Sequence, residues 1–236
     1  MKALNSQMKT AWGAGILYIG MDIFMIFSGM VVDPKLYVPG DAGATTSNIL
    51  AFEWLFRLGF VSFVVGLILQ LFLVYVLYEL FKSVDKGQAM LMVILVVAGV
   101  SITFMNMLNQ VVPILLLSGA ENLSAFNPAQ VQTLSMVFFE IYQHGYQLSE
   151  IFWGLWLVPL GVLVYKSGFI PKVLGILLMV GCCGHLLSFL LTFLFPDSSA
   201  TLMPIAEMLM IGELPIFLWL LIKGVKDVEE TPLEKI

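Results

Sequence analysis

The stretch WLFRLGFVSFVVGLILQLFLVYVLYELF, residues 54–81, decides the fold. Between Arg57 near its start and Glu79 near its end it carries no charge. About 20 apolar residues in a helix suffice to cross the hydrocarbon of a bilayer, and this run exceeds that length. Five further runs read the same way, at about 11–32, 88–118, 134–165, 172–195 and 203–223. They are continuous rather than alternating, which speaks against a β-barrel. The whole chain of 236 residues is 60% hydrophobic and only 11% charged, with a mean hydropathy of +0.97. Soluble domains carry roughly 25% charge, so the composition alone argues for the membrane. The expectation is an all-α, polytopic bundle of six spans forming one transmembrane domain over residues 1–236.

The joints support this division. SVDKGQ, KSGFIPK and FPDSSAT separate the later spans, each with the Gly, Pro, Ser or Asp that turns require. Pro113, Pro159, Pro204 and Pro215 are natural kink or start positions. Cys182 and Cys183 are adjacent, lack the CxxC spacing of a redox or zinc site, and read as small membrane-buried hydrophobes. The first run is too long for the apolar core of a signal peptide and is read as a span.

Basic residues set the orientation. Lys2, Lys9, Lys82, Lys86, Lys166, Lys172, Lys223, Lys226 and Lys235 fall on one side of a six-span layout, against Lys35 and Arg57 on the other. By the positive-inside rule both termini are cytoplasmic, and the connections 33–53, 119–133 and 196–202 face outward. The segment before the quoted run then has a place. Pro39-Gly40 makes a turn and Asp41 caps a helix, so residues 42–81 are expected to form one nearly continuous helix that begins outside the bilayer. Asn127 and Pro128 do the same for the fourth span. Two helices rising above the outer surface would shape a vestibule.

VPGDAGATTSNILAFEWLFRLGFVS (residues 38–62), YKSGFIPKVLGILL (165–178) and ELPIFLWLLIKGV (213–225) resemble the bacterial membrane family known as domain of unknown function 4386. The likeness runs over nearly the whole chain. It implies a six-span protein of the bacterial cytoplasmic (inner, or plasma) membrane and no activity, cofactor or catalytic residue. Glu53, Arg57 and Glu213 lie within the matching segments.

Ionisable groups inside spans cost about 2.5–3.5 kcal/mol each on insertion scales, so each needs a partner or a purpose. Asp22, Arg57, Glu140, His144, Glu150, His185, Glu207 and Glu213 are all of this kind. In EIYQHGYQ, Glu140, Gln143, His144 and Gln147 share one helical face, and Asn106, Asn109 and Gln110 share another on the third span with Thr103. The expected site is an outward-facing polar cavity lined by these two stripes. Glu150, His185 and Glu207 would form its floor, Asp22 and Glu213 would lie near mid-membrane, and Arg57 would sit at the rim. Competing readings exist for the parts. The amides suit hydrogen-bond glue between helices, a lone His185 suits packing, and Glu53 with Arg57 suits an interfacial ion pair.

Five in-span acids against one arginine and two histidines leave an acid surplus, which suits a small-molecule or cationic ligand, a coupled proton or a metal. Binding or transport is therefore the leading reading, with the lipid bilayer as the first partner. The absence of an internal repeat points to a carrier that pairs as a homodimer. The alternatives are a metal-dependent, hydrolase-like membrane enzyme, for which Glu150, His185 and Glu207 are weak candidate ligands, and an accessory membrane subunit. PGDAGATT lacks the lysine of a phosphate loop, and nothing in the chain suggests nucleic acid.

Overall fold

A computed structural model of the chain describes residues 2–118 and 126–225. Six helical stretches among them are long and apolar enough to cross a membrane: Ser6–Leu36, Glu53–Phe81, Lys86–Leu117, Pro128–Ser167, Lys172–Leu194 and Thr201–Ile222. They are spans one to six below, and they fall where the apolar runs of the sequence place them. Part of the 119–133 connection lies outside the described residues, as do Lys226 and Lys235.

Span one is longer than its apolar run because it does not stop at the Asp33-Pro34 pair. Its α-helix, Lys2–Ile26, widens into a π-helical segment, Phe27–Val32, and continues as Asp33–Leu36. The Asp33 N–H bonds the Ser28 carbonyl, five residues back. Pro34 has no N–H and its ring crowds the carbonyl four residues earlier. A wider turn just before it accommodates both defects.

The outer helix behaves as its capping signals require, with one difference. Gly40 takes a left-handed conformation at φ 76°, and Asp41 Oδ1 accepts from the Ala44 N–H at 2.8 Å. The helix Ala42–Ala51 then breaks at Phe52, at φ −123° and ψ 38°, before Glu53–Phe81 begins. Residues 42–81 are thus two helices rather than one. The break lets the two segments turn different faces inward. Thr45, Thr46 and Ile49 are buried in the first, and Leu55 and Phe56 in the second. The first segment packs on span four, whose start carries a full capping box between Asn127 and Gln130. Between them Val32, Leu36, Ile49, Leu55, Phe56 and Phe139 form a small apolar cluster.

Prolines mark the remaining irregularities. Span four is interrupted at Trp156, three residues ahead of Pro159. Span six changes to a 3-10 turn, Ile211–Glu213, ahead of Pro215. In each case the proline removes the bond to the carbonyl four residues back. Pro113, by contrast, is buried inside an uninterrupted Lys86–Leu117.

Spans three and four share the most extensive packing, followed by spans one and two, then four and five, then five and six. Span one also touches the last part of span six, Leu214–Ile222. It makes no extended contact with span four, nor with the Pro196–Met210 half of span six. A cleft therefore runs between span one on one side and spans four and six on the other.

Candidate functional site

The cleft has two chambers. The inner one, of about 270 Å³, lies near mid-bundle and is lined by Tyr18, Asp22 and Met25 of span one, Gln70 of span two, and Trp153 and Trp156 of span four. His185 of span five and Glu207 and Glu213 of span six complete its polar wall. The outer one, of about 360 Å³, lies further along span one, between Met25, Gly29, Met30 and Asp33 on that side and Tyr142, Gln143 and Tyr146 of span four on the other. Met25 lines both, so the two adjoin.

The inner chamber is built by local irregularities. The 3-10 turn before Pro215 ends on Glu213, so its carboxylate leaves a helix that has already loosened. Span five comes close to span four at Gly154, where a Cβ would fall 2.7 Å from His185 Cβ. Spans five and six also approach closely, a Cβ on Gly184 falling 2.7 Å from the Ala206 carbonyl oxygen, which brings His185 and Glu213 together. His185 Nε2 lies 2.7 Å from Glu213 Oε1, and the Tyr18 hydroxyl donates to Glu213 Oε2 at 3.0 Å. A carboxylate only accepts, so the histidine carries its proton on Nε2 here. Asp22 and Glu207 line the same chamber with no ion pair to a lysine or arginine among the described residues. Three carboxylates thus face one histidine. Gln70 is 3% exposed, and its Oε1 has no hydrogen-bond partner among the described residues. His185 Nδ1 and Trp153 Nε1 are in the same condition. Buried polar atoms without partners cost about 1–3 kcal/mol each, and so many around one cavity mark it as a place for something polar.

The expected site residues sort into four groups. Asp22, His185, Glu207 and Glu213 meet in the inner chamber, and Gln143 lines the outer one. Asn106, Asn109 and Gln110 do not line the cleft. Asn106 is buried and donates to the Tyr142 carbonyl at 2.8 Å, and Asn109 donates to Asn106 at 3.1 Å. Gln110 borders a void of about 20 Å³ that shares Asp33, Tyr142 and Gln143 with the outer chamber. Asn106 is therefore glue to span four, with Asn109 bonded behind it. Gln147 of span four accepts from Ser188 at 3.4 Å, outside the cleft lining.

The third group is on the surface. Glu140 and His144 are exposed, and His144 Nδ1 stands 2.8 Å from the Glu140 carbonyl. The four-residue stripe on span four was too wide to face one cavity, so its two ionisable members fall outside it. Arg57 pairs with Glu53, N to O 2.6 Å, with both side chains about half exposed. It is an interfacial ion pair and not a rim residue of the cleft. The last case is Glu150, which is half-buried with Oε2 unpartnered among the described residues but lines neither chamber. No group of three or more His, Cys, Asp or Glu able to hold a metal occurs among the described residues, so Glu150, His185 and Glu207 do not assemble as ligands. Cys182 and Cys183 are free.

Seven contributors escaped the sequence reading: Tyr18, Asp33, Gln70, Tyr142, Tyr146, Trp153 and Trp156. Tyr18 was findable, because Tyr18, Asp22, Met25 and Gly29 recur at i, i+4, i+7 and i+11 on one face of span one. Gln70 was findable as the lone amide deep in an apolar run. Asp33 was not, because Asp-Pro reads as a turn.

A protein of Archaeoglobus fulgidus, itself uncharacterised, is 39% identical over 97 residues, covering 40% of this chain and 54% of the relative. The chain thus spans about half the length of that curated relative. No solved structure matches the chain. The family model for the domain of unknown function DUF4386 matches residues 13–224, and the helical bundle with its cleft belongs to a member of that family.

Proposed function

We propose that the protein binds a small organic cation in the inner chamber of the cleft, as a carrier or receptor embedded in the bilayer. The observation that supports this is the wall itself: Asp22, Glu207 and Glu213 against a single histidine, beside Tyr18, Trp153 and Trp156. Carboxylates offset a positive charge, and aromatic faces attract cations by roughly 0.5–2 kcal/mol each. The unpartnered Gln70 Oε1 offers an acceptor to a ligand N–H. The nine-to-two asymmetry of basic residues supports an outward mouth, since the outer chamber lies toward the end of span one remote from its lysine-bearing start.

The test is equilibrium titration of the purified protein with benzyltrimethylammonium, read by quenching of Trp153 and Trp156 fluorescence. Saturable binding that Glu213→Gln weakens about tenfold or more supports the reading, a change of roughly 1.4 kcal/mol. Titration that never saturates, or an affinity indifferent to Glu213→Gln and Asp22→Asn, refutes it.

A further inference from the structure

The outer chamber has its own recognition chemistry. Asp33 stands on its wall, half-buried, and its carboxylate has no hydrogen bond or ion pair among the described residues, although Lys35 is two residues away. Opposite are Tyr142 and Tyr146, and Phe63 meets the Tyr146 ring edge-on at 6.2 Å. Among the described residues no lysine, arginine or histidine lines the chamber. A lone unpaired carboxylate facing three aromatic rings, in a space of about 360 Å³, fits one charge with an apolar shell around it. The backbone holds the acid there on purpose of geometry. The π-helical turn lets span one run past Ser28 to Leu36, which keeps Asp33 on the cleft wall instead of in a surface loop.

We infer that Asp33, Tyr142 and Tyr146 form a second binding site for a quaternary or tertiary ammonium group, distinct from the inner chamber and separated from it by Met25. As the outer station of one path it rests on the reading given above, but its own occupancy does not require the inner site. The same chemistry has two sources: a free amine entering the cleft, or the choline headgroup of a neighbouring lipid.

The test is calorimetric titration with benzyltrimethylammonium of protein held in a neutral sugar detergent. Wild type takes up two equivalents, Asp33→Asn takes up one, and Asp33→Glu restores the second, with unchanged thermal melts confirming that the variants fold. Glu213→Gln weakens the other equivalent about tenfold or more. A single equivalent insensitive to Asp33→Asn overturns the outer site and leaves the inner one standing. A single equivalent lost on Asp33→Asn and untouched by Glu213→Gln supports the outer site and overturns the inner reading. No uptake at all overturns both. Repeating the titration after adding phosphatidylcholine to the micelles separates the sources: loss of the Asp33-dependent equivalent identifies the lipid headgroup, and its persistence identifies a soluble amine.

Discussion

The seam between spans three and four and the cleft beside span one are both built from polar residues in apolar helices, yet they end in opposite states. In the seam Asn106 bonds the Tyr142 carbonyl, Asn109 bonds Asn106, and Thr103 bonds the Gly99 carbonyl. In the cleft Gln70, Trp153 and His185 each keep an atom without a partner among the described residues, and Asp22 and Asp33 have no basic partner. The difference is what each side chain meets: Asn106 reaches the Tyr142 carbonyl across the seam, whereas His185, although Gly154 brings its backbone close to span four, turns its ring toward the chamber. Polarity inside a membrane is thus no guide to function until its satisfaction is counted.

The largest effect that could break this contrast is steric. A Cβ on Gly145 would overlap the Asn106 amide, whereas one on Gly29 in the outer chamber would meet nothing within 4 Å. Gly145→Ala should destabilise by about 1–3 kcal/mol from overpacking, plus the lost Asn106 bond. Gly29→Ala should leave the melting temperature unchanged. Thermal unfolding in detergent reads both, and equal melts for the two variants would erase the distinction between seam and cleft.

Amide swaps sharpen it from the other side. Asn106→Leu gives up a satisfied bond and should cost about 0.6–2 kcal/mol. Gln70→Leu removes an unsatisfied oxygen and should be neutral or stabilising by about 1 kcal/mol. The same Gln70→Leu protein should bind benzyltrimethylammonium more weakly, which Asn106→Leu should not beyond its effect on folding. A Gln70→Leu variant that melts lower and binds equally well would show the amide to be structural.

Smaller still are the surface members of the fourth-span stripe. Glu140→Gln and His144→Ala should change neither the melt nor the titration by more than about 0.5 kcal/mol, as surface substitutions generally do. A loss of binding in either would return the site to the stripe from which the sequence first suggested it.

These cases show what the sequence could and could not carry. Span number, the Asp41 and Asn127 caps and the breaks ahead of Pro159 and Pro215 are local properties, legible because hydropathy and capping act over a few residues, whereas Pro113 and Pro204 sit inside unbroken helices. The meeting of His185 with Glu213 was not legible. Depth along the normal put His185 on the cavity floor and Glu213 near mid-membrane. Which helix neighbours which, however, depends on the close approach of spans five and six at Gly184 and on the 3-10 turn before Pro215, and neither has a signature in helical phase. The acid surplus is a property of the chain, but Glu140 of span four lies on an exposed face away from both chambers. Periodicity says which residues share a side and leaves open what that side meets. Asp33 was missed for a related reason, since a proline that normally ends a helix is absorbed here by a wider turn.

The smallest effect belongs outside the bilayer and separates its electrostatics from those of the cleft. Asp85 caps span three through the Gln88 N–H at 3.1 Å and accepts from Lys166 Nζ at 2.8 Å, tying two joints of the bundle together. The Lys166 hydrogen bond, and after it the Gln88 N–H, holds the Asp85 carboxyl below the usual carboxylate range. A carboxyl with a depressed pKa in the folded state contributes stability above its unfolded value of about 3.9 and loses it as the pH falls through the folded one. Wild type should therefore melt slightly higher than Asp85→Asn at pH 7. That gap should close in acid, below the carboxylate range, where both carry a neutral group. Both side chains are substantially exposed, so added salt should narrow the gap at pH 7 as well. The titration with benzyltrimethylammonium should be the same for the two proteins at every pH, because Asp85 lines neither chamber. An Asp85→Asn protein whose binding curve shifts with pH differently from wild type would mean that the joint and the cleft are mechanically coupled, and the contrast between a closed framework and an open site would have to be redrawn.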